Sequence, residues 1–149
     1  MEAKQSRCAN GKSEKRMPAF YKIDKGRRLV LSTGSGVFSL ADALSHQEKL
    51  SKDPEFDPSF SQIADFTHVT RIELSTDDIR QLAQRGIFSA HSRRAFIMPN
   101  ETAFGMGRMF EILRGLEGER GLCIFRTLDE ALDWVFSKPK LSTPPPGLM

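Results

Sequence analysis

The sequence predicts an α/β fold: a mainly parallel sheet with an N-terminal antiparallel β-hairpin and helices packed on it. Three observations lead there. Short apolar runs of strand length alternate with segments whose apolar residues recur at helical spacing. Three of the helical segments open on a serine or threonine with an acidic residue three positions on, a capping-box arrangement that satisfies free amide groups of the first turn. Two extended runs ahead of the first helix are parted only by Lys25-Gly-Arg-Arg28, a hairpin connection.

In chain order, Phe20 to Asp24 and Leu29 to Thr33 form the hairpin, with Gly26 free to adopt positive φ in its turn. Gly34-Ser-Gly36 then breaks the second strand. Ser39 with Asp42 starts the first helix, and Leu40, Ala43, Leu44 and Leu50 share one face with Gln47, whose amide needs a partner there. Asp53-Pro-Glu-Phe-Asp-Pro-Ser-Phe60 is a structured connector: its prolines forbid helix, and Phe56 and Phe60 can pin it to the core.

Ser61 to Gly86, SQIADFTHVTRIELSTDDIRQLAQRG, is the central unit. A short buried strand around Ile63, Ala64 and Phe66 is followed by a polar crossing, then by a helix capped by Ser75 and Asp78 and closed by Gly86. Ile79, Leu82 and Ala83 give that helix its apolar face. Arg94 to Pro99 is a continuous apolar run, expected of a parallel strand covered on both sides. Asn100 caps a helix from Glu101 to Arg114 with Met106, Met109, Phe110 and Leu113 on its core face and Phe104 on the other side. Leu122 to Phe125 is the last strand, and Thr127 with Glu130 caps a helix whose stripe is Leu128, Ala131, Leu132 and Val135. Right-handed crossovers should place these helices on the two faces of the sheet.

Composition sets the class. Apolar residues at 39% and charged residues at 28% are globular values, and 149 residues suit one domain, expected over 18–138. A basic tail over 1–17 and a proline-rich tail over 139–149 are expected to be disordered. No apolar run is long enough to span a membrane, and the start MEAKQSRCANGKSEKRMP lacks the apolar centre of a signal peptide. A cytoplasmic protein, not an integral membrane one, is the expectation. The net charge of +3 sits in that tail, where five basic residues face two acidic ones, so the folded part is formally neutral and nucleic acid is not the expected partner. Cys8 and Cys123 form no CxxC or Cys/His cluster, so no metal or cofactor is expected, and Cys123 reads as a small buried hydrophobe.

No catalytic constellation stands out. His46, His68 and His91 are scattered, and no nucleophile is paired with His68 by a local motif. Asp65 and Asp77-Asp78 read as loop and helix-dipole carboxylates. Arg93 and Arg94 precede a strand and read as a solvated pair at the end of the sheet away from the site. Candidate functional atoms are expected beyond the carboxyl ends of the parallel strands: Thr67, His68, Asn100, Thr127 and the entry to the Phe104 helix. That helix, with Phe104, Met106, Met109 and Phe110, also supplies the flexible and aromatic side chains of an apolar ligand pocket.

The order of elements over Pro18 to Phe136 resembles the STAS and SpoIIAA-like group, which includes anti-sigma-factor antagonists and, in a related branch, lipid-binding folds of the CRAL-TRIO type. YKIDKGRRLVLSTGSG, DPEFDPSF, RAFIMPNETAFGMGRMFE and FRTLDEALDWV look like bacterial SpoIIAA-like proteins of unknown function. The resemblance implies a SpoIIAA-like or STAS-like layered fold and a regulatory role. In the antagonists, an Asp-Ser-Ser-Gly turn after a strand carries a serine phosphorylated by a partner kinase. Glu73, Leu74, Ser75 and Thr76 fall on that turn here, so Ser75 is the one acceptor left in the window, and it doubles as a helix cap.

The sequence therefore leads to a non-enzymatic regulatory module that binds another protein through a surface containing Thr67, His68, Ser75, Thr76 and Asp77. The alternative is a binding protein for a small apolar ligand or lipid, using Asn100, Phe104, Met106, Met109, Phe110 and Thr127. An enzyme is the weaker third reading. Exposed helical surface could support a homodimer, though nothing in the pattern demands one.

Overall fold

A computed structural model describes residues 19–137; the two expected tails lie outside the described residues. The chain runs β1 (Ala19–Asp24), β2 (Leu29–Ser39), α1 (Leu40–Ser51), β3 (Ser61–Glu73), α2 (Thr76–Ala83), β4 (Arg94–Ile97), α3 (Glu101–Leu116), β5 (Leu122–Phe125) and α4 (Leu128–Phe136). The five strands form one sheet in chain order, with β1 and β2 antiparallel and all later neighbours parallel. This is the mixed sheet and element order that the pattern predicts.

Chain order in the sheet decides where the helices go. The parallel part advances from β2 to β5 without reversing, so crossovers of one hand must all pass over the same face. α1, α2 and α3 lie there, and α4, which follows the last strand, covers the other face. The expectation of crossover helices on both faces is corrected accordingly. No topological switch point exists along the parallel strands, so the usual crevice beyond their carboxyl ends has no structural basis.

Strand alternation divides the core. Leu29, Ile63, Ala95 and Ile97 point to α4, where they meet Ala131 and Val135; each fully buried leucine or isoleucine there stabilises by about 1.5–3 kcal/mol. Ser32, Gln62, Ala64, Arg94 and Phe96 point the other way, toward the three crossover helices. Val30, Leu50 and Phe60 close one end of that side, where Phe56 meets Phe88 edge to face and holds the proline-rich connector as expected.

The caps follow the sequence. Ser39 with Asp42 and Ser75 with Asp78 both form complete capping boxes, and the Asn100 Oδ1 accepts from the Ala103 amide. Thr127 accepts from the Glu130 amide, while the Glu130 carboxylate accepts from Arg126 N–H, so the return bond lands one residue early.

Five local expectations change. Gly34-Ser-Gly36 does not end β2: the strand continues to Ser39, and β3 carries two bulges opposite this stretch, with Gly36 at φ +64°. The left-handed turn residue of the hairpin is Arg28 at φ +53°, not Gly26. The polar crossing after Phe66 is more strand, extending β3 to Glu73. On α3 the most buried line is Ala103, Gly107 and Arg114, displaced from the predicted methionine stripe, because an added Cβ on Gly107 would meet Met98 and Ile124 at 3.2 and 3.3 Å. Leu128, placed in the last helix's stripe, is instead exposed.

Candidate functional site

Between the sheet and the crossover helices lies a cavity of about 120 Å³. Its body is apolar. Phe38, Phe66, Phe96 and Phe110 form a continuous aromatic row, edge to face between the first two and stacked at 5.6 Å between the last two. Met98 and Met106 adjoin this row, and Leu74, Ile79 and Leu82 line the cavity around α2. Arg85 is an exposed lining residue, so the cavity meets solvent on that side, where Arg85 Nε donates to Gln47 Oε1 at 3.1 Å.

One end of the cavity is polar, and strand register builds it. Gln62 and Arg94 are partners across β3 and β4, and both side chains leave the sheet on the helix side. The Arg94 guanidinium lies 4.5 Å from the Phe88 ring centre and 5.4 Å from that of Phe96. Its Nη1 donates to both Glu119 carboxylate oxygens at 3.0 and 2.9 Å, and its Nε donates to Gln62 Oε1 at 3.0 Å. That bond fixes the orientation of the Gln62 amide, whose Nε2 donates to Ser32 Oγ at 2.9 Å.

Ser32 Oγ lies 2.9 Å from His46 Nε2. Ser32 Oγ accepts from Gln62 and, with its single proton directed at His46 Nε2, continues the row; the ring is then neutral with its proton on Nδ1. Burial, reinforced by the positive charge of Arg94, pushes the His46 pKa down to about 4, in agreement with that assignment. The row therefore runs in one sense, each member donating to the next, from Arg94 to His46.

Glu119 is shared. Its carboxylate also accepts from Arg114 Nε at 2.7 Å, and Arg114 Nη1 donates to the Ala83 carbonyl, the last residue of α2, at 2.6 Å. A cation at that helix end complements its dipole. Gly86 allows it: a Cβ there would lie 2.5 Å from Arg114 Nη2, so this glycine makes room for a guanidinium rather than closing the helix. All three charged side chains are less than 10% exposed.

The sequence-predicted residues divide. Met106 and Phe110 line the cavity. Asn100 does not; with Met106 it borders a second cleft of about 300 Å³ beside the start of α3, among Thr70, Arg71 and Pro99. Phe104 packs under the Arg126 guanidinium at 4.2 Å, outside the cavity. Met109 is half-buried away from the cavity, and Thr127 is an exposed cap. Thr67 and His68 are exposed positions within β3, not beyond its end, and Thr67 N and Oγ1 both donate to Asp65 Oδ1. Ser75, Thr76 and Asp77 are exposed at the start of α2, and Ser75 Oγ accepts from Asp78 N.

Arg94, Glu119 and Arg114 are the residues that sequence reasoning missed. The signal was parity: Arg94 shares its strand face with Phe96, and Gln62 with Ala64, so two polar residues open two core-facing alternations. Arg93, by contrast, is half-buried just ahead of β4, where it stacks on Trp134 and donates to the Trp134 and Ser137 carbonyls at the end of α4. The solvated-pair expectation fails for Arg94 and holds only loosely for Arg93.

No family model matches the chain, and no curated protein does. Among solved structures, the chain is similar to an uncharacterised protein of the DUF3478 family with a SpoIIAA-like fold from Shewanella loihica PV-4, at 17% identity and a TM-score of 0.54, covering 84% of this chain and 99% of that one. No helix among the described residues is long and apolar enough to cross a membrane. With its five-stranded mixed sheet, three crossover helices on one face and one closing helix on the other, this chain has a SpoIIAA-like fold.

Proposed function

We propose that the protein is a binding module for a small organic molecule held between the sheet and the crossover helices. One observation carries the reading: a cavity of about 120 Å³ has an aromatic and aliphatic body and a buried polar end whose groups are positioned by one another. Small-molecule sites share that make-up, apolar walls with a few fixed polar groups. We read the site as a binder rather than a catalyst because a histidine held near 4 is too weak a base to activate Ser32, its nearest hydroxyl. Native mass spectrometry of protein purified from cells should show a copurifying small molecule. Ala64→Leu, which puts an isobutyl group into the cavity, should lose it. A bare polypeptide mass for the unaltered chain under gentle ionisation would count against the reading.

A second reading, regulation through a partner protein, gains from the placement of α2. Its inner face, Ile79 and Leu82, lines the cavity, while Ser75, Thr76 and Asp77 are exposed at its start. A ligand and a partner would thus contact the same short helix. Ser75→Asp retains a capping oxygen and should fold normally while weakening a partner complex; equal loss of both would reduce Ser75 to a cap.

A further inference from the structure

We propose that the ligand is a small monocarboxylic acid, its carboxylate held by Arg94 and Gln62 and its compact apolar body set against the aromatic row; this rests on the reading of the cavity as a binding site. Three observations point to it, and the first is charge. Arg94 and Arg114 share one carboxylate, Glu119, so the buried cluster carries one cation more than it has anions. Guanidinium groups keep their proton even when burial lowers their pKa, as it does for Arg94, so the excess is permanent. An unmatched buried charge is costly, and an anion entering the cavity would neutralise it.

The second is hydrogen-bond polarity. Arg94 Nη2 has no hydrogen-bond partner among the described residues, and the Gln62 amide nitrogen spends only one of its two N–H groups, on Ser32. The Gln62 oxygen is engaged by Arg94 and the Ser32 oxygen by Gln62. The free N–H groups of Arg94 Nη2 and Gln62 Nε2 are therefore donors that no protein group uses among the described residues, and such donors suit a carboxylate.

The third is size and selectivity. A dry cavity of roughly 150 Å³ takes a benzene ring, so a space of about 120 Å³ that opens to solvent beside Arg85 limits the body to at most about one such ring. The cluster's excess of one cation matches one negative charge, which favours a monoacid over a diacid. Arg85, the other lining cation, is exposed and faces solvent, where it can draw an anion toward the opening.

The test is titration calorimetry of the full chain with benzoate, benzamide and acetate, together with side-chain N–H NMR of the arginines. Benzoate should bind about ten- to a hundredfold more tightly than benzamide, the difference made by a charge-assisted hydrogen bond, with the shifts centred on Arg94. Acetate should bind more weakly than benzoate because it leaves the aromatic row uncovered. Benzamide binding as well as benzoate would overturn the carboxylate assignment while leaving the cavity reading intact. Acetate matching benzoate would overturn the apolar body. Shifts spread over Arg85 and other exposed arginines would place the anion on the surface and overturn the site, and no binding by any of the three up to the low-millimolar range would overturn the proposal together with the reading beneath it. Arg94→Lys, which keeps the charge and loses the planar fork, should fold and should retain only part of the preference for the acid.

Discussion

Replacing Glu119 by glutamine removes a single negative charge that two guanidiniums share. The Glu119 side chain is 1% exposed, and it accepts at 2.9 and 3.0 Å from Arg94 and at 2.7 Å from Arg114. Glu119→Gln leaves both cations buried with no countercharge and turns an amide N–H toward donors. Breaking a buried pair in this way costs about 3–5 kcal/mol. With a urea dependence of about 2 kcal/mol per molar, the unfolding midpoint should fall by about 2 M, readable from the fluorescence of Trp134, the single tryptophan. Arg94→Met makes the internal control. It loses the bonds to Glu119 and Gln62 but removes the excess cation and keeps the Arg114 to Glu119 pair, so no buried charge is left unpaired and its cost should be about half as large. If Arg94→Met proved as damaging as Glu119→Gln, the charge count that underlies the anion site would be wrong. A loss below about 1 kcal/mol for Glu119→Gln would show that water reaches the cluster.

Two further outcomes can be measured on the same protein. His46 has a folded-state pKa near 4 against about 6.5 when unfolded, so the unfolded chain binds more protons between those values. The stability this gives is fully present above about pH 6.5 and is lost as the pH falls through 4. Between pH 7 and 4.5 the loss should be about 2–3 kcal/mol, and urea titrations of wild type minus His46→Phe should isolate it; identical pH slopes would refute the neutral-ring assignment. Gly121→Ala should lower the melting temperature by about 10 °C or more, because its Cβ would lie 2.0 Å from the Ser92 carbonyl oxygen and the backbone ahead of β5 must shift, taking the Glu119 loop with it. A melting temperature within a degree or two of wild type would show that this approach relaxes freely.

Local signals were the legible ones. Ser39, Ser75, Asn100 and Thr127 announce their helices because capping is a bargain struck within four residues. Gly34-Ser-Gly36 misled because its meaning depends on the partner: paired against β3, these residues sit beside bulges within a continuous strand, and no neighbour in sequence says so. The polar run from Thr67 to Glu73 reads as a crossing on the same ground, and its pairing with β2 is what makes it strand. The site was hidden for a different reason. Arginine and glutamate are assigned to solvent by default, and nothing local marks Glu119, within a glycine-rich charged loop, as the countercharge of a residue twenty-five positions earlier. Met106 and Phe110 were found because apolar spacing is readable; Arg94 required knowing which way its strand faces.

The division of labour between the two sides of the sheet has a consequence for change over time. Under α4, Leu29, Ile63, Ala95 and Ile97 interlock with Ala131 and Val135 and hold the strands in register without help from any group that could touch a ligand. Across the sheet, positions such as Ala64 and Phe96 alternate with those anchors residue by residue. Altered selectivity can therefore be bred on one side of each strand while the other side goes on keeping the scaffold upright.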